Sequence, residues 1–407
     1  AASDVYKRQP LREPLLPDFS RQCSMQQDVS YLAPQQELSA EMITQLAPYF
    51  EKKGILIAGE SLTIEEAQQL LAFSEKLGWP IVGDPLTNLA TAGTKVGTFI
   101  SQADLVFLQL TSAFQPEVVV RFGRLPVTKN VLLWLNKAAD TTTWLFVDPS
   151  GQWQDQLHRA NYLIEAAISA FVAAITQLPI VKHTAWQQQW QALQARADQV
   201  IAASPQLQQW DESSAVRMLQ QCLPEEAQIL LANSNAIRFF DRYGSKTSST
   251  YRVYGNRGVN GIDGLVSTVA GIASASQKPT YLLIGDLALY HDMNGLQLLR
   301  QYQLPVTIIL LNNNGGGIFS FLSQNTLEPN DFVPLFGTPL DLEFQKVAAL
   351  YEADWHTPTS LLEFQTILAE TSQQPRFQII EVKGEQKDPV NTWQALQQQF
   401  SEAGAQQ

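Results

Sequence analysis

The chain has 407 residues, of which 45% are hydrophobic and 16% are charged, and its formal net charge is -12 at pH 7. The length predicts two or more domains, and the negative charge argues against a nucleic-acid partner, because binding phosphates needs a basic surface. No apolar run reaches the roughly 18 residues of a membrane-spanning helix. The two cysteines, Cys23 and Cys222, match no disulfide framework or metal spacing, which favours a reducing, cytoplasmic location.

The first 30 residues have no pattern typical of a folded domain. The opening AASDVYKRQ is typical neither of a signal peptide nor of a helix, and LREPLLPD is typical of a segment that leaves a preceding domain. We therefore expect residues 1–30 to be a linker remnant or a non-native extension.

Residues 31–178 alternate strand and helix signals. A helix is predicted over 63–78, with acids early and Lys76 late. Short apolar runs predict buried strands at GILIAGE (54–60), PIVGD (80–84), ADLVFLQL (103–110), EVVVRFG (117–123) and TWLFVD (143–148). This alternation predicts a central α/β domain with a doubly wound parallel sheet. A dinucleotide site is disfavoured, since no G-x-G-x-x-G occurs.

The chain between the two α/β patterns, residues 179–225, is rich in Gln and helical in pattern. We expect a solvated helical connector there. A second doubly wound α/β domain is predicted over residues 226–407. Its strands are expected at AQILLANS, YRVYGNRG, PTYLLIGD, VTIILLNNN and RFQIIEVK.

Two of these strands end in polar residues of a particular kind. Asp286 follows the run YLLIG, and Asn313 follows VTIILL with three glycines, 315–317, just beyond. A right-handed strand–helix–strand connection makes the two strands parallel, so both ends lie on one edge of the sheet. Carboxylate, amide and backbone oxygens suit Mg²⁺, which also keeps positions for ligand phosphates. Either residue alone is usually a helix cap, but the pair predicts a metal–diphosphate site.

This pair resembles the thiamine-diphosphate motif, although Leu287 replaces its usual third residue, Gly. Together with GDLALYHDMNGLQLLRQ, NNNGGGIFSFL, ANSNAIR and NRGVNGIDG, it makes the chain similar to the 2-succinyl-5-enolpyruvyl-6-hydroxy-3-cyclohexene-1-carboxylate synthase family, the MenD family. The resemblance implies a transferase of menaquinone or phylloquinone synthesis. Such an enzyme uses thiamine diphosphate and Mg²⁺ (or Mn²⁺) to decarboxylate 2-oxoglutarate and add the four-carbon unit to isochorismate.

The resemblance also implies roles for individual residues. The metal would be held by Asp286, the Asn313 side chain and the Gly315 carbonyl. The cofactor would contact Ile262, Gly285, Asp286, Leu287, Ala288 and Asn313. The substrates would contact Ser234, Arg238, Arg257, Ile318, Phe319, Leu322 and Lys129. From the residues alone, core packing, helix capping or surface ion pairs explain most of these positions as well.

One catalytic group of the family has no match in this sequence. The glutamate that generates the reactive ylide lies on an N-terminal pyrimidine-binding domain, and no such domain is recognisable here. The expectation is a homo-oligomer, dimer or tetramer, with shared sites and a chain that is inactive alone. The alternatives are another thiamine-dependent lyase or synthase, such as an acetolactate synthase, and a truncated, non-catalytic binding protein.

Overall fold

A computed structural model of the protein describes residues 37–59, 62–94, 96–244, 246–247 and 249–405. The expectation for residues 1–30 lies outside these residues. The described chain forms two six-stranded sheets, and every strand pair in them is parallel. The predicted doubly wound α/β architecture is confirmed.

The first sheet has the strand order β3-β2-β1-β4-β5-β6. Its strands are β1 (Gly54–Ala58), β2 (Pro80–Val82), β3 (Thr98–Phe99), β4 (Val118–Phe122), β5 (Thr143–Val147) and β6 (Tyr162–Ile164). The second sheet has the order β11-β12-β10-β9-β7-β8. Its strands are β7 (Gln228–Leu231), β8 (Arg252–Gly255), β9 (Thr280–Gly285), β10 (Val306–Asn312), β11 (Asp354–His356) and β12 (Gln378–Lys383).

Helices cover the faces of both sheets. Those of the first half are α1 (Ala40–Leu46), α2 (Ile64–Leu77), α3 (Ala103–Leu108), α4 (Lys129–Leu135), α5 (Ile168–Thr176) and α6 (Thr184–Ala203). Those of the second half are α7 (Glu212–Cys222), α8 (Asn235–Tyr243), α9 (Leu265–Ser276), α10 (Asp286–Asp292), α11 (Leu296–Gln301), α12 (Pro329–Phe332), α13 (Phe344–Leu350), α14 (Leu361–Gln373) and α15 (Asp388–Ala405).

The predicted helix over 63–78 shows how local sequence sets an element. Thr63 and Glu66 form a reciprocal capping box at its start, and Gly78 ends it in the left-handed conformation, with φ 69°. Its buried face includes Leu70, Phe73 and Leu77, which is the three- and four-residue spacing of an amphipathic helix.

The strand predicted at 103–110 is wrong. The segment forms helix α3, whose residues from Ala103 to Phe107 are all buried. A short, fully buried apolar run has no periodicity that distinguishes the two structures. Asp104 is buried within it and forms an ion pair with Arg242 of α8 at 2.8 Å, a tertiary contact that the local sequence does not reveal.

The expectation of a solvated connector is also wrong. Helix α6 buries Trp186 and Trp190 completely or nearly so, and the two rings meet edge to face, with centroids 5.7 Å apart. Helix α7 buries Glu212, Val216 and Leu219. The segment is therefore part of the hydrophobic core, and even two of its glutamines, Gln187 and Gln220, are buried and hydrogen-bonded there.

Polar contacts join the two sheets next to the second sheet's edge strand. The buried Asn88 side chain accepts a hydrogen bond from the Val253 N–H of β8 and donates one to the Leu62 carbonyl, both at 2.9 Å. The Thr128 hydroxyl donates to the Asp241 carboxylate of α8 at 2.7 Å. These contacts cover the edge of β8 and fix helix α8 against the first sheet.

Candidate active site

A cavity of about 400 Å³ opens at the carboxyl ends of the strands of the second sheet. Its walls come from the segments that follow β7, β8, β9 and β10. The chain reverses its direction through the sheet here, since β8 and β9 lie on opposite sides of β7. Open α/β sheets bind ligands at such a reversal point.

Asp286 lies at the floor of this cavity, immediately after β9. It is buried, and its two carboxylate oxygens accept the backbone N–H groups of Leu287 and Gly315, both at 2.7 Å. Burial raises the pKa of Asp286 to about 6, while these N–H groups oppose the rise. The bond to Gly315 ties the end of β9 to the turn after β10, so the two predicted strand ends converge.

Asn313 also lines the cavity, and its amide is held from behind by a buried acid. Its Nδ2 donates to both carboxyl oxygens of Glu212, at 3.0 and 3.1 Å. Within the described residues its Oδ1 is buried and has no hydrogen-bond partner. Burial raises the pKa of Glu212 to about 8, the bond from Asn313 opposes the rise, and the Asp286 charge adds to it.

The glycine turn brings backbone atoms close together at this edge. Gly315 has φ 140°, and a Cβ there would lie 1.9 Å from the Gly337 carbonyl oxygen. The Gly316 N–H donates to the same oxygen at 2.7 Å. A Cβ on Gly316 would lie 2.0 Å from the Phe336 carbonyl oxygen. Only glycine allows this approach.

The oxygen atoms available here fit a hard divalent cation. A carboxylate, an amide oxygen with no partner in the described part of the chain and a backbone carbonyl are oxygen ligands of the kind that Mg²⁺ prefers. Within the described residues no group of three or more His, Cys, Asp or Glu side chains is placed to hold a metal ion. A cation at this edge therefore needs further oxygens, such as those of a diphosphate.

Positive charge also lines the cavity. The Arg257 Nη1 donates to the Asn233 Oδ1 at 2.5 Å, and the Arg238 Nη1 donates to the Ser234 carbonyl at 2.7 Å. Burial lowers the pKa of Arg238, and the neighbouring charges of Arg257 and Arg242 lower it further. An anionic ligand between the two arginines would offset this repulsion.

Ser234 has a strained backbone. Its φ of 67° and ψ of -131° lie in a region that non-glycine residues rarely adopt. It occupies the N-cap position of α8, but in the described structure its side chain makes no capping hydrogen bond. Ser234 also lines the cavity, so this strained backbone lies at the candidate site.

Comparison with known proteins identifies the family. Residues 22–231 match the family model described as the middle domain of thiamine pyrophosphate, and residues 238–382 match the C-terminal TPP binding domain of thiamine pyrophosphate enzymes. A 2-succinyl-5-enolpyruvyl-6-hydroxy-3-cyclohexene-1-carboxylate synthase of Enterococcus faecalis is 45% identical over 400 residues, which cover 97% of this chain and 69% of the relative. This chain belongs to the MenD family.

Other synthases of the same name match over the same extent. The enzyme of Oceanobacillus iheyensis is 35% identical over 98% of this chain and 70% of its own length. That of Listeria monocytogenes is 35% identical over the same shares. The MenD family resemblance drawn from the sequence is therefore confirmed. Membership also argues against the acetolactate synthase alternative.

The structure brings most of the predicted MenD site residues to one cavity. Its lining includes all the residues proposed for the cofactor and the metal, and five of those proposed for substrates: Ser234, Arg238, Arg257, Ile318 and Phe319. Two predicted substrate residues lie elsewhere. Leu322 is 40% exposed beyond the turn, and Lys129 is exposed at the first residue of α4.

Sequence reasoning missed Glu212. The residue was assigned to a solvated connector, whereas it is buried in the cavity wall. One signal was present: Glu212 precedes Ala215, Val216 and Leu219 at three-, four- and seven-residue spacing, so it lies on the apolar face of α7. A charged residue on such a face indicates a buried, partnered acid.

A search for membrane spans found nothing in the described helices that combines the length and the apolar character that crossing a bilayer requires.

Proposed function

We propose that the chain acts in the reaction named for its relatives, as a thiamine-diphosphate- and Mg²⁺-dependent transferase. The reaction decarboxylates 2-oxoglutarate and adds the remaining four-carbon unit to isochorismate, on the route to menaquinone or phylloquinone. Mn²⁺ is the alternative ion, since it accepts the same oxygen ligands. Family membership supports the reaction class, and the cavity supports the choice of ligands.

One observation carries the metal and cofactor proposal. Asp286 and the glycine turn after β10 are bonded to each other, and the neighbouring Asn313 has a buried amide oxygen that no described group satisfies. In our proposal Asp286, the Asn313 Oδ1 and the Gly315 carbonyl hold the cation, which in turn binds the diphosphate. The cofactor, when bound, supplies the electron sink for the decarboxylated carbon.

Other residues of the cavity are proposed to contact the cofactor. Gly285, Leu287 and Ala288 line the floor beside Asp286, where small and apolar groups let a ligand approach closely. Ile262, half-buried at the opposite side, is proposed as the apolar support that holds the cofactor in its bent form. None of these groups transfers a proton; they place the cofactor.

The substrate side is proposed to be the arginine wall. Arg238 and Arg257 bind substrate carboxylates, and the strained Ser234 presents its hydroxyl beside them. Ile318 and Phe319 form an apolar wall that excludes water, and the Phe319 ring packs on Phe336 with centroids 5.2 Å apart.

Lys129 and Leu322 are proposed to act at the rim. The Thr128 hydroxyl, next to Lys129, is bonded to Asp241 of α8, three residues after Arg238, and this supports the proposal for Lys129. Val259, Leu322 and Leu335 are exposed apolar residues, and Val259 lies next to Asn260 of the cavity lining. We propose a homo-oligomer, dimer or tetramer, with sites shared between subunits, in which these exposed residues are candidates for contacts. We propose a cytoplasmic location, consistent with Cys222, which has no disulfide partner among the described residues.

A chimera tests the choice of substrates. This chain would replace the matched 400 residues of the Enterococcus faecalis synthase, and CO₂ release would be measured with 2-oxoglutarate or pyruvate, each with isochorismate. We expect release from 2-oxoglutarate, and a loss of at least tenfold in kcat/KM on Arg238→Met, since a carboxylate then lacks its charged partner. Preference for pyruvate in a chimera that binds thiamine diphosphate would contradict the proposal.

A further inference from the structure

Glu212 is fixed in place by its own helix. The preceding residue, Asp211, caps α7 through a reciprocal capping box with Ser214 and also accepts the Thr392 hydroxyl at 3.0 Å. Glu212 is the first residue of that helix and is only 1% exposed. Its carboxyl group therefore has a fixed position in the cavity wall.

The partner of this carboxyl group is an amide that could face either way. An asparagine amide has one acceptor and one donor end of nearly equal size, and rotation by about 180° exchanges them. Both carboxyl oxygens of Glu212 contact the donor end of Asn313. Because both oxygens act as acceptors here, Glu212 holds the donor end of the amide and leaves the Oδ1, which has no partner among the described residues, at the opposite end.

We infer that Glu212 is a positioning residue for the metal site: it holds the Asn313 amide with its oxygen directed to the cation. The inference rests on the proposed function. Without Glu212 the amide can rotate and point its N–H₂ group at the cation. The hydrogens of that group carry partial positive charge, so they repel the cation. Partners that orient metal ligands in this way typically change metal affinity 10- to 100-fold.

The chain contains a matched pair that serves as a control. The adjacent Asn312 donates through its Nδ2 to Glu381 of β12 at 2.7 Å, and Glu381 is 2% exposed. This pair has the same amide-to-carboxyl hydrogen bond at the same strand end, and Asn312 and Glu381 do not line the cavity. It differs in that Glu381 also pairs with Lys383 at 3.3 Å and the Asn312 Oδ1 accepts the Asn314 N–H at 3.1 Å. A variant of Glu381 thus reproduces the loss of a buried Asn–Glu bond without touching the proposed metal ligand.

The test compares two variants of Glu212, one that shortens the side chain and one that removes its charge. Glu212→Asp keeps the charge and withdraws the acceptor by about one bond length, whereas Glu212→Gln removes the charge and keeps an acceptor within reach. Mn²⁺ binding would be measured by electron paramagnetic resonance with thiamine diphosphate present. We expect Glu212→Asp to weaken Mn²⁺ binding 10- to 100-fold, and Glu212→Gln and Glu381→Asp to stay within about threefold.

The possible results distinguish the positioning role of Glu212 from general destabilisation and from failure of the proposed function. Wild-type Mn²⁺ affinity in Glu212→Asp, or equal losses in Glu212→Gln and Glu212→Asp, overturns the positioning role. An equal loss in Glu381→Asp would assign the effect to general destabilisation and would overturn it too. Failure of the wild type to bind Mn²⁺ with thiamine diphosphate would instead contradict the proposed function. Circular dichroism on each variant verifies the fold. Gln has nearly the same shape as Glu, so Glu212→Gln remains informative if Glu212→Asp fails to fold.

Discussion

Gly315 is the residue whose backbone the site most depends on. Gly315→Ala places a Cβ 1.9 Å from the Gly337 carbonyl oxygen at a φ of 140°, so the turn must shift. We expect a loss of about 2–4 kcal/mol in the free energy of unfolding, measured by urea denaturation. We also expect at least tenfold weaker binding of thiamine diphosphate with Mg²⁺, because the turn carries two proposed ligands.

The control for Gly315 is a glycine with free space around it. Gly271 lies inside helix α9, and a Cβ there meets nothing within 4 Å. Gly271→Ala should stabilise the protein by about 0.5–1 kcal/mol, as expected for an exposed helix interior. If Gly315→Ala behaved like Gly271→Ala, the close backbone approach would not constrain the turn.

The buried Asp241 carboxyl group should make the stability of the protein depend on pH. Burial raises the pKa of this carboxyl group well above 3.8, the charges of Asp104 and Asp84 raise it further, and the Thr128 hydroxyl and Arg242 oppose the rise. Between the two pKa values the folded state binds a proton that the unfolded state does not. Stability therefore falls by about 1.4 kcal/mol for each pH unit as pH rises through that window.

Asp241→Asn removes this dependence and keeps an acceptor for the Thr128 hydroxyl. We expect the variant to gain stability relative to the wild type from pH 4 upward, in urea denaturation curves taken at successive pH values. The exposed Asp140 supplies the control, and Asp140→Asn should follow the wild-type curve. A constant difference between Asp241→Asn and the wild type across pH 4–8 would show that Asp241 is not the source.

Sequence alone could predict that Asp286 and Asn313 lie close together, but not that Glu212 contacts Asn313. The first two follow apolar strands in register, with Gly285 of β9 paired to Leu311 of β10, and parallel strands place their ends together. Glu212 reaches Asn313 from 101 positions away in the sequence. That contact depends on how α7 packs against the sheet, which no local pattern specifies.

At the scale of elements, the edge strand β8 depends on a loop of the first sheet. Asn88→Ala removes the acceptor of the Val253 N–H and the donor to the Leu62 carbonyl. It also places alanine at a φ of 55°. We expect a loss of roughly 2–4 kcal/mol in the free energy of unfolding.

Asn88→Asp is the graded comparison, measured in the same urea denaturation series. Asp tolerates the left-handed conformation and keeps the acceptor for Val253, so its loss should be about half that of Asn88→Ala. Equal stability of the wild type and Asn88→Ala would mean that the loop does not support β8.

The elements that the sequence predicts well are those with complete local signals. The helix over Ile64–Leu77 has a capping box, an apolar stripe and a terminal glycine. Strands β3, β6 and β11, of two or three residues each, were not predicted. Such strands are defined by pairing with a neighbour, and the pairing partner is a tertiary feature.

At the scale of the whole molecule, the doubly wound class followed from the alternation of strand and helix signals. What the sequence did not reveal is the joint between the sheets. Buried polar pairs such as Thr128–Asp241 and Asp104–Arg242 join segments more than 100 positions apart. The sequence around each residue does not indicate which distant residue it contacts. Through them the first sheet holds helix α8, which carries Arg238, at the cavity.

The central claim is that Asp286 and the turn after β10 hold a cation-bound diphosphate. Calorimetric titration of thiamine diphosphate tests it most directly, with and without Mg²⁺, in the wild type, Asp286→Ala and Asp354→Ala, a surface control at the far edge of the sheet. The account predicts Mg²⁺-dependent binding that Asp286→Ala weakens by about 100-fold or more and Asp354→Ala leaves unchanged. Equally tight binding without Mg²⁺, or in Asp286→Ala, would contradict it.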